Sequence, residues 1–274
     1  MSQKVVLVTG CSQGGIGFAL CEEFASRGCK VYATARDVRK MEGLKDPNIE
    51  KLSLDITNDA DVQRVVKAIL LHGPIDILVN NAGIMAAGPL VDQTMEFIQE
   101  AFDANTFSVL RLAKAVIPSM ASRKSGIIVN IGSVVGDSPT PWNGLYSATK
   151  SAVSTISEVL NMECRPFNIH VMNVEPAAIR SNISKNQQAR FNLPPDSLYT
   201  GFLPNIIQRI HASQGPNSMP NEQFAKLLVQ KVLSRSPPLH LILGGGATMF
   251  TVFRWLPRTL LLWLMWRVYS KKLV

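Results

Sequence analysis

The sequence predicts an α/β fold: a doubly wound parallel sheet of about seven strands with helices on both faces. A lid insertion and a C-terminal apolar helical tail complete it. Three observations carry the prediction. Short apolar runs alternate with longer amphipathic segments from residue 4 to about 181. The first run, residues 5–9, feeds a glycine-rich turn and then a helix. Later runs end in turn-forming Asn-Gly, Gly-Ser or Pro-containing segments, where an open parallel sheet places its loops.

The chain of 274 residues is long enough for one domain with a large core. We read a core over about 4–181 and 220–246, a lid over 181–220 and a tail over 247–274. The opening apolar run is too short for a signal-peptide core, so a cytosolic start is expected. Four cysteines without paired spacing suit a reducing compartment, and four scattered histidines give no metal-ligand pattern, so no metal is expected. The net charge is +8, and no acid follows Glu222, so the basic excess belongs to the end of the chain. No basic face interleaved with aromatics appears elsewhere, which argues against nucleic acid as a partner.

In order, Val5-Val6-Leu7-Val8-Thr9 reads as a buried strand. The turn Gly10-Cys11-Ser12-Gln13-Gly14-Gly15-Ile16-Gly17 then lets backbone N–H groups and a helix N-terminus approach a pyrophosphate. Residues 30–36 form the second strand. At its end a carboxylate would bind an NAD ribose, but this chain has Thr34-Ala35-Arg36, and an arginine there pairs with a 2′-phosphate. That favours NADP(H), against which the next residue, Asp37, weighs. The third strand ends at Asp55, placed to accept from an adenine amine, and residues 59–71 form an amphipathic helix. Residues 75–79 are the fourth strand, followed by Asn80-Asn81-Ala82-Gly83, whose amides fix loops or approach a ligand. Residues 94–123 read as helix, with Asn105 in mid-helix at a cost in propensity. Residues 126–131 are the fifth strand, ending in Gly132-Ser133. Tyr146 opens a helix to about 164, and residues 169–174 are the sixth strand. Residues 181–220 are rich in Asn, Gln, Ser and Pro, a candidate lid. A helix from Pro220 and a strand over 239–243 close the core.

Tyr146 and Lys150 are four apart, so both lie on one helix face, about 5–6 Å apart at Cβ. The ammonium is expected to lower the phenol's pKa and prepare it for proton exchange with a carbonyl oxygen.

Together, the Thr9–Gly17 turn, Leu54-Asp55, Asn80-Asn81-Ala82-Gly83, Asn105, Ser133 and the Tyr146/Lys150 pair resemble the short-chain dehydrogenase/reductase family over residues 4–181. The resemblance implies a Rossmann-type fold and a catalytic set of Asn105, Ser133, Tyr146 and Lys150. Tyr146 would be the general acid, and Lys150 would tune it and bind the nicotinamide ribose. Ser133 would hold the substrate carbonyl, and Asn105 a water. Cofactor contacts would come from Gly10, Ser12, Gln13, Ile16, Arg36, Asp55, Asn81, Tyr146, Lys150, Ile179 and Ser181. Two departures stand out. Four residues rather than three separate Gly10 from Gly15, and Ala177 follows Pro176 where the family usually has glycine, which takes positive φ more easily.

A narrower similarity, in the Gly14–Gly17 turn, residues 32–36 and the tail, is to fungal NADPH-dependent 1-acyldihydroxyacetone-phosphate reductases. It implies a lipid ketone substrate and a place on the cytoplasmic side of the endoplasmic reticulum or on lipid droplets. The Gly-x-Ser-x-Gly pattern occurs as Gly10-Cys11-Ser12-Gln13-Gly14, inside the glycine-rich turn already read as a pyrophosphate loop, and lipase activity is not expected. A phosphate-bearing substrate would need bases such as Arg180, Lys185 or Arg190 near the mouth. The alternatives are a ketoreductase of fungal secondary metabolism and a non-catalytic NADP-binding scaffold on lipid surfaces. In the tail, Arg254, Pro257, Arg258 and Arg267 interrupt the apolar run, so a membrane span is not expected. Two short helices carrying Trp255, Trp263 and Trp266 would lie in a membrane surface, or cover the substrate pocket or an oligomer interface.

Overall fold

The computed structural model describes residues 3–271. Met1 and Ser2 of the expected cytosolic start, and Lys272 of the basic tail, lie outside the described residues. Seven parallel strands form one sheet in the order β3-β2-β1-β4-β5-β6-β7. They are β1 Val5–Thr9, β2 Lys30–Ala35, β3 Ile49–Ser53, β4 Ile77–Asn80, β5 Gly126–Ile131, β6 Ile169–Pro176 and β7 His240–Leu243. Both faces are buried, so the strands are apolar throughout. Val6 and Val8 of β1 pack with Phe24 of α1 (Ile16–Ser26) and Phe224 of α8 (Asn221–Val232). Leu7, between them, points to the other face, toward Val62 of α2 (Asp59–Leu70) and Leu112 of α4 (Ser108–Ser122).

The chain moves outward from β1 through β2 to β3, then returns to place β4 on β1's other side. This reversal opens a crevice at the carboxyl ends of β1 and β4, the place where such sheets bind ligands. Thr9 staples the two strand ends together. Its Oγ1 accepts from the Asn81 and Ala82 N–H groups, each at 3.0 Å.

The long helix expected over 94–123 contains a break. Between α3 (Met95–Phe102) and α4, residues Asp103–Phe107 form a π-helical turn with Asn105 buried inside it. The extra residue rotates Asn105 inward, a job that an unbroken α-helix would leave to a neighbour. Helix α5 spans Gly144–Glu163 and carries Tyr146 and Lys150 in its first turns.

The lid holds α6 (Ile183–Arg190) and α7 (Leu203–Ile210), and the tail forms α9 (Ala247–Phe253) and α10 (Arg258–Tyr269). The tail packs back onto the domain. Arg254 pairs with Asp137 at 3.1 Å and with Glu175, and Arg258 donates to the Asp137 carbonyl at 2.6 Å. Trp142 meets Tyr199, Phe202 and Trp266 ring to ring, and its Nε1 donates to the Tyr269 carbonyl at 2.9 Å. The tail therefore packs one face against the segments that carry Asp137, Trp142 and Glu175. Its other face stays open to solvent, with Trp255 87% exposed and Trp263 about half exposed. Among the described residues, no helix is long and apolar enough to cross a membrane.

Candidate active site

A cavity of about 1380 Å³ runs along the carboxyl ends of the strands, from Arg36 and Asp55 at one end to Tyr146, Arg209 and Tyr269 at the other. That volume exceeds the roughly 300–1,000 Å³ of a small-ligand site, so a dinucleotide and a second molecule fit together.

The glycine-rich turn forms its first wall. Gly10 has φ +73°, and a Cβ there would meet the Ala82 backbone at 2.7 Å. Gly17 lets α1 start against the Gly10 carbonyl, where a Cβ would come within 2.6 Å. The additional residue in this loop is accommodated at Gly14, which takes φ +76° and packs against Asn182; the Asn182 Nδ2 donates to the Gln13 carbonyl at 2.8 Å. The loop is thus fixed from the lid side, and Gly10, Ser12, Gln13 and Ile16 all line the cavity.

At the far end, Arg36 is exposed and lines the cavity. The Asp37 carboxylate is taken up by Arg39, whose Nε and Nη2 each donate to it at 3.0 Å, and that hydrogen bond lowers its pKa. Lys40, which sequence reasoning missed, lines the same end. Its backbone carbonyl accepts from Gln13 at 2.8 Å, so the turn after β2 carries it to the phosphate loop. An exposed lysine in a short turn gives no signal in sequence. Asp55 also faces the cavity, with one carboxylate oxygen accepting from Thr57.

Asn81 lines the cavity, but its side-chain amide donates to the Thr9 and Gly10 carbonyls at 2.8 and 3.2 Å. Its visible work is to brace the glycine loop. Ile179 and Ser181 line the opposite wall, where Gln214 holds both through the Ile179 carbonyl and the Ser181 N–H. The Ala177 departure has no backbone consequence. Ala177 has no positive φ and extends the β6–β7 pairing, its N–H donating to the Leu243 carbonyl at 2.8 Å.

Ser133, Tyr146 and Lys150 converge on this cavity from the end of β5 and the first turns of α5. Lys150 is buried, donates to the Ile131 carbonyl at 2.7 Å and lies over the Tyr146 ring, 5.7 Å from its centroid. The expected tuning of Tyr146 by Lys150 is corrected here. Burial pushes the phenol up to about 12, opposed first by the field of Arg209 and then by the neighbouring Ser133 hydroxyl. Burial also pushes Lys150 down to about 8, and its ammonium faces the ring and a carbonyl rather than the hydroxyl.

Asn105 does not line the cavity. Its oxygen accepts from Ile84 N–H at 2.7 Å, and its nitrogen donates to the Ile84 carbonyl and to Thr149 Oγ1 at 2.9 and 3.0 Å. Its side-chain amide is taken up by these partners, which tie the β4 loop to α5 one residue before Lys150. Gly83 lies between the two groups; a Cβ there would meet the Asn105 oxygen at 2.8 Å and Lys150 Nζ at 3.8 Å. Among the described residues, no cluster of metal-ligating side chains occurs.

Comparison with known proteins agrees with this geometry. Residues 4–191 match the model of the short chain dehydrogenase family. The chain is 36% identical over 238 residues to the short-chain dehydrogenase ptmH of Penicillium ochrochloron, covering 86% of each. It is 31% identical over 231 residues to the NADPH-dependent 1-acyldihydroxyacetone phosphate reductase of Schizosaccharomyces pombe, covering 82% of this chain and 75% of that one. The similarity therefore does not single out the acyldihydroxyacetone-phosphate reductases, as the narrower sequence resemblance had implied. The structure of a short-chain dehydrogenase from Sphingobium yanoikuyae in complex with NADPH superposes with a TM-score of 0.71 at 32% identity, covering 87% of each chain. The chain belongs to the short-chain dehydrogenase/reductase family and is an oxidoreductase acting on CH–OH and C=O groups.

Proposed function

We propose that this protein is an NADP(H)-dependent carbonyl reductase for a bulky, largely apolar ketone, of the kind met in fungal secondary metabolism. The observation that carries the reading is the convergence of Ser133, Tyr146 and Lys150 on one large cavity whose other end holds two bases. The residues fit NADP(H). The Gly10 turn, Ser12, Gln13 and Ile16 would receive the pyrophosphate on backbone N–H groups. Arg36 and Lys40 would take the 2′-phosphate, Asp55 the adenine amine, Asn81 the adjoining ribose side, and Ile179 and Ser181 the nicotinamide. When bound, the cofactor supplies the hydride.

The protein's own part is alignment and proton handling. Tyr146, with a phenol held protonated by burial, gives its proton to the carbonyl oxygen as that oxygen gains charge. Ser133 donates to the same oxygen and stabilises the alkoxide. Lys150 binds the nicotinamide ribose and offers a cation to the developing phenolate. Asn105 is a positioning residue that sets the height of Lys150 through Thr149. Met249, Phe250 and Tyr269 line the same cavity, which suits a bulky, largely apolar substrate.

A second reading, reduction of 1-acyldihydroxyacetone phosphate at a lipid surface, is supported by the Schizosaccharomyces relative and by the exposed tryptophans and arginines of the tail. The test is oxidation of NADPH and of NADH against a panel of apolar ketones, with Tyr146→Phe alongside. We expect NADPH to be preferred, and the variant to bind it while losing turnover by about 10²-fold or more. A Tyr146→Phe protein as active as wild type would sink the reading.

A further inference from the structure

Arg209 lines the cavity near Tyr146, and among the described residues it has no counter-charge. It comes from α7, whose inward residues Ile206 and Ile210 are fully buried, and it is itself only 6% exposed. Its Nε donates to Thr140 Oγ1 at 2.6 Å, and its guanidinium lies 5.5 Å from the centre of the Tyr269 ring. Among the described residues no carboxylate pairs with it. Of the acids lining the cavity, Glu100 is held through both oxygens by Arg190, and Asp55 accepts from Thr57 at the adenosine end. Taking an arginine out of water without an anion is costly, and this one keeps its Nη edge free for a planar acceptor.

A second polar group on the same wall lacks partners. Asn143 caps α5 three residues before Tyr146; its side chain is fully buried, and neither its amide oxygen nor its nitrogen is hydrogen-bonded. It lines the cavity together with Thr140, Tyr146 and Arg209. Of the bases a phosphate-bearing substrate would need near the mouth, Arg180 and Lys185 do not line the cavity and Arg190 does. Arg190 is engaged by Glu100, and Arg180 is exposed and donates to the Pro216 carbonyl.

We propose that Arg209 anchors an oxyanion carried by the carbonyl substrate, a carboxylate or a phosphate ester, with the Asn143 amide as the second donor. The site then selects ketones that are apolar along their length and anionic close to the reacting carbon. This rests on the carbonyl-reductase reading of the cavity. It assigns the recognition to a lid residue, Arg209 of α7.

The experiment uses full-length protein with NADPH and two matched pairs of ketones. One pair is a medium-chain β-keto acid and its methyl ester; the other is an alkyl dihydroxyacetone phosphate and its phosphate-free form. Wild type should favour the anionic member of one pair in kcat/KM by about 10- to 100-fold, the range of a charge-assisted hydrogen bond. The pair that shows the preference identifies the anion. In Arg209→Met the preference should shrink to within about twofold, and Arg209→Lys, which keeps the charge without the fork, should retain part of it. NADPH fluorescence reports whether each variant is folded, and thermal shifts of NADP-loaded protein by acid and ester report anion binding without turnover. Equal use by wild type of both members of both pairs, or a preference that survives in Arg209→Met, overturns the inference. Ketone turnover that depends on Tyr146 but shows no anionic preference would leave the reductase reading standing and end this one. An Arg209-dependent thermal shift by the acid, with no ketone reduced, would do the reverse.

Discussion

The two ends of the cavity are built in different ways. At the nucleotide end, each wall comes from a loop that directly follows a strand: Gly10–Gly17 after β1, Arg36 after β2, Asp55 after β3 and Asn81 after β4. At the substrate end, Thr140, Arg209, Met249 and Tyr269 come from four stretches spread over the last half of the chain. Strand ends are held by the sheet's hydrogen bonds, so their side chains have one place to be. Lid and tail helices are held by side-chain contacts, which tolerate many sequences. One end is thus fixed by the sheet, and the other by the packing of lid and tail.

The sharpest way to break this comparison is at Arg36 and Lys40. Replacing both with alanine should raise the KM for NADPH by about 10- to 100-fold, because two charge-assisted contacts to a phosphate are lost, and leave the KM for the ketone nearly unchanged. A matching rise in ketone KM would show that the two ends are not separable.

The seam between core and tail gives a smaller effect. Glu175 is 2% exposed, and burial raises its pKa while Arg254 lowers it. Its carboxylate also accepts from Asn173 at 2.8 Å. Arg254→Met leaves that acid buried without its cation, and should cost about 1–3 kcal/mol in denaturant unfolding at neutral pH, discounted because Arg254 is partly exposed. The sign follows from the raised pKa. A carboxyl that binds its proton more tightly when folded contributes stability at low pH and loses it as pH rises through the folded value. The variant's deficit should therefore shrink toward acid pH, and a deficit independent of pH would show that lost packing rather than charge is responsible.

The smallest effect belongs to the outer face of the tail. Trp255→Ser with Trp263→Ser should reduce co-sedimentation with anionic vesicles by about tenfold if that face meets lipid, leaving NADPH binding intact. Vesicle binding that is absent in wild type would leave the tail's covering of the cavity as its whole function.

What could be read in advance follows the same division. The sheet was legible because buried parallel strands are apolar throughout, and the glycine loop because Gly10 and Gly17 stand where a Cβ would collide with backbone. Tyr146 and Lys150 were legible as a helical pair, but their electrostatics were not, since burial sets both, and the charge that opposes it at Tyr146 is that of Arg209. Asn105 drew notice as a misfit in a helix, whereas the π turn that aims it gave no separate signal. Lys40 and Arg209 were missed for opposite reasons. One lies in an ordinary exposed turn, and the other reads as one more base in a polar insertion until tertiary packing buries it.

Trp142 carries one more consequence. It holds φ +63°, a backbone state that a large aromatic side chain rarely keeps, one residue before the cap of the helix that presents Tyr146. Its indole is pinned by the Tyr269 carbonyl and the Trp266 ring, and its own carbonyl by Gly88. Trp266 and Tyr269 thus clamp the turn that leads into α5, so a substitution at either is expected to be felt at Tyr146, more than a hundred residues away in the chain.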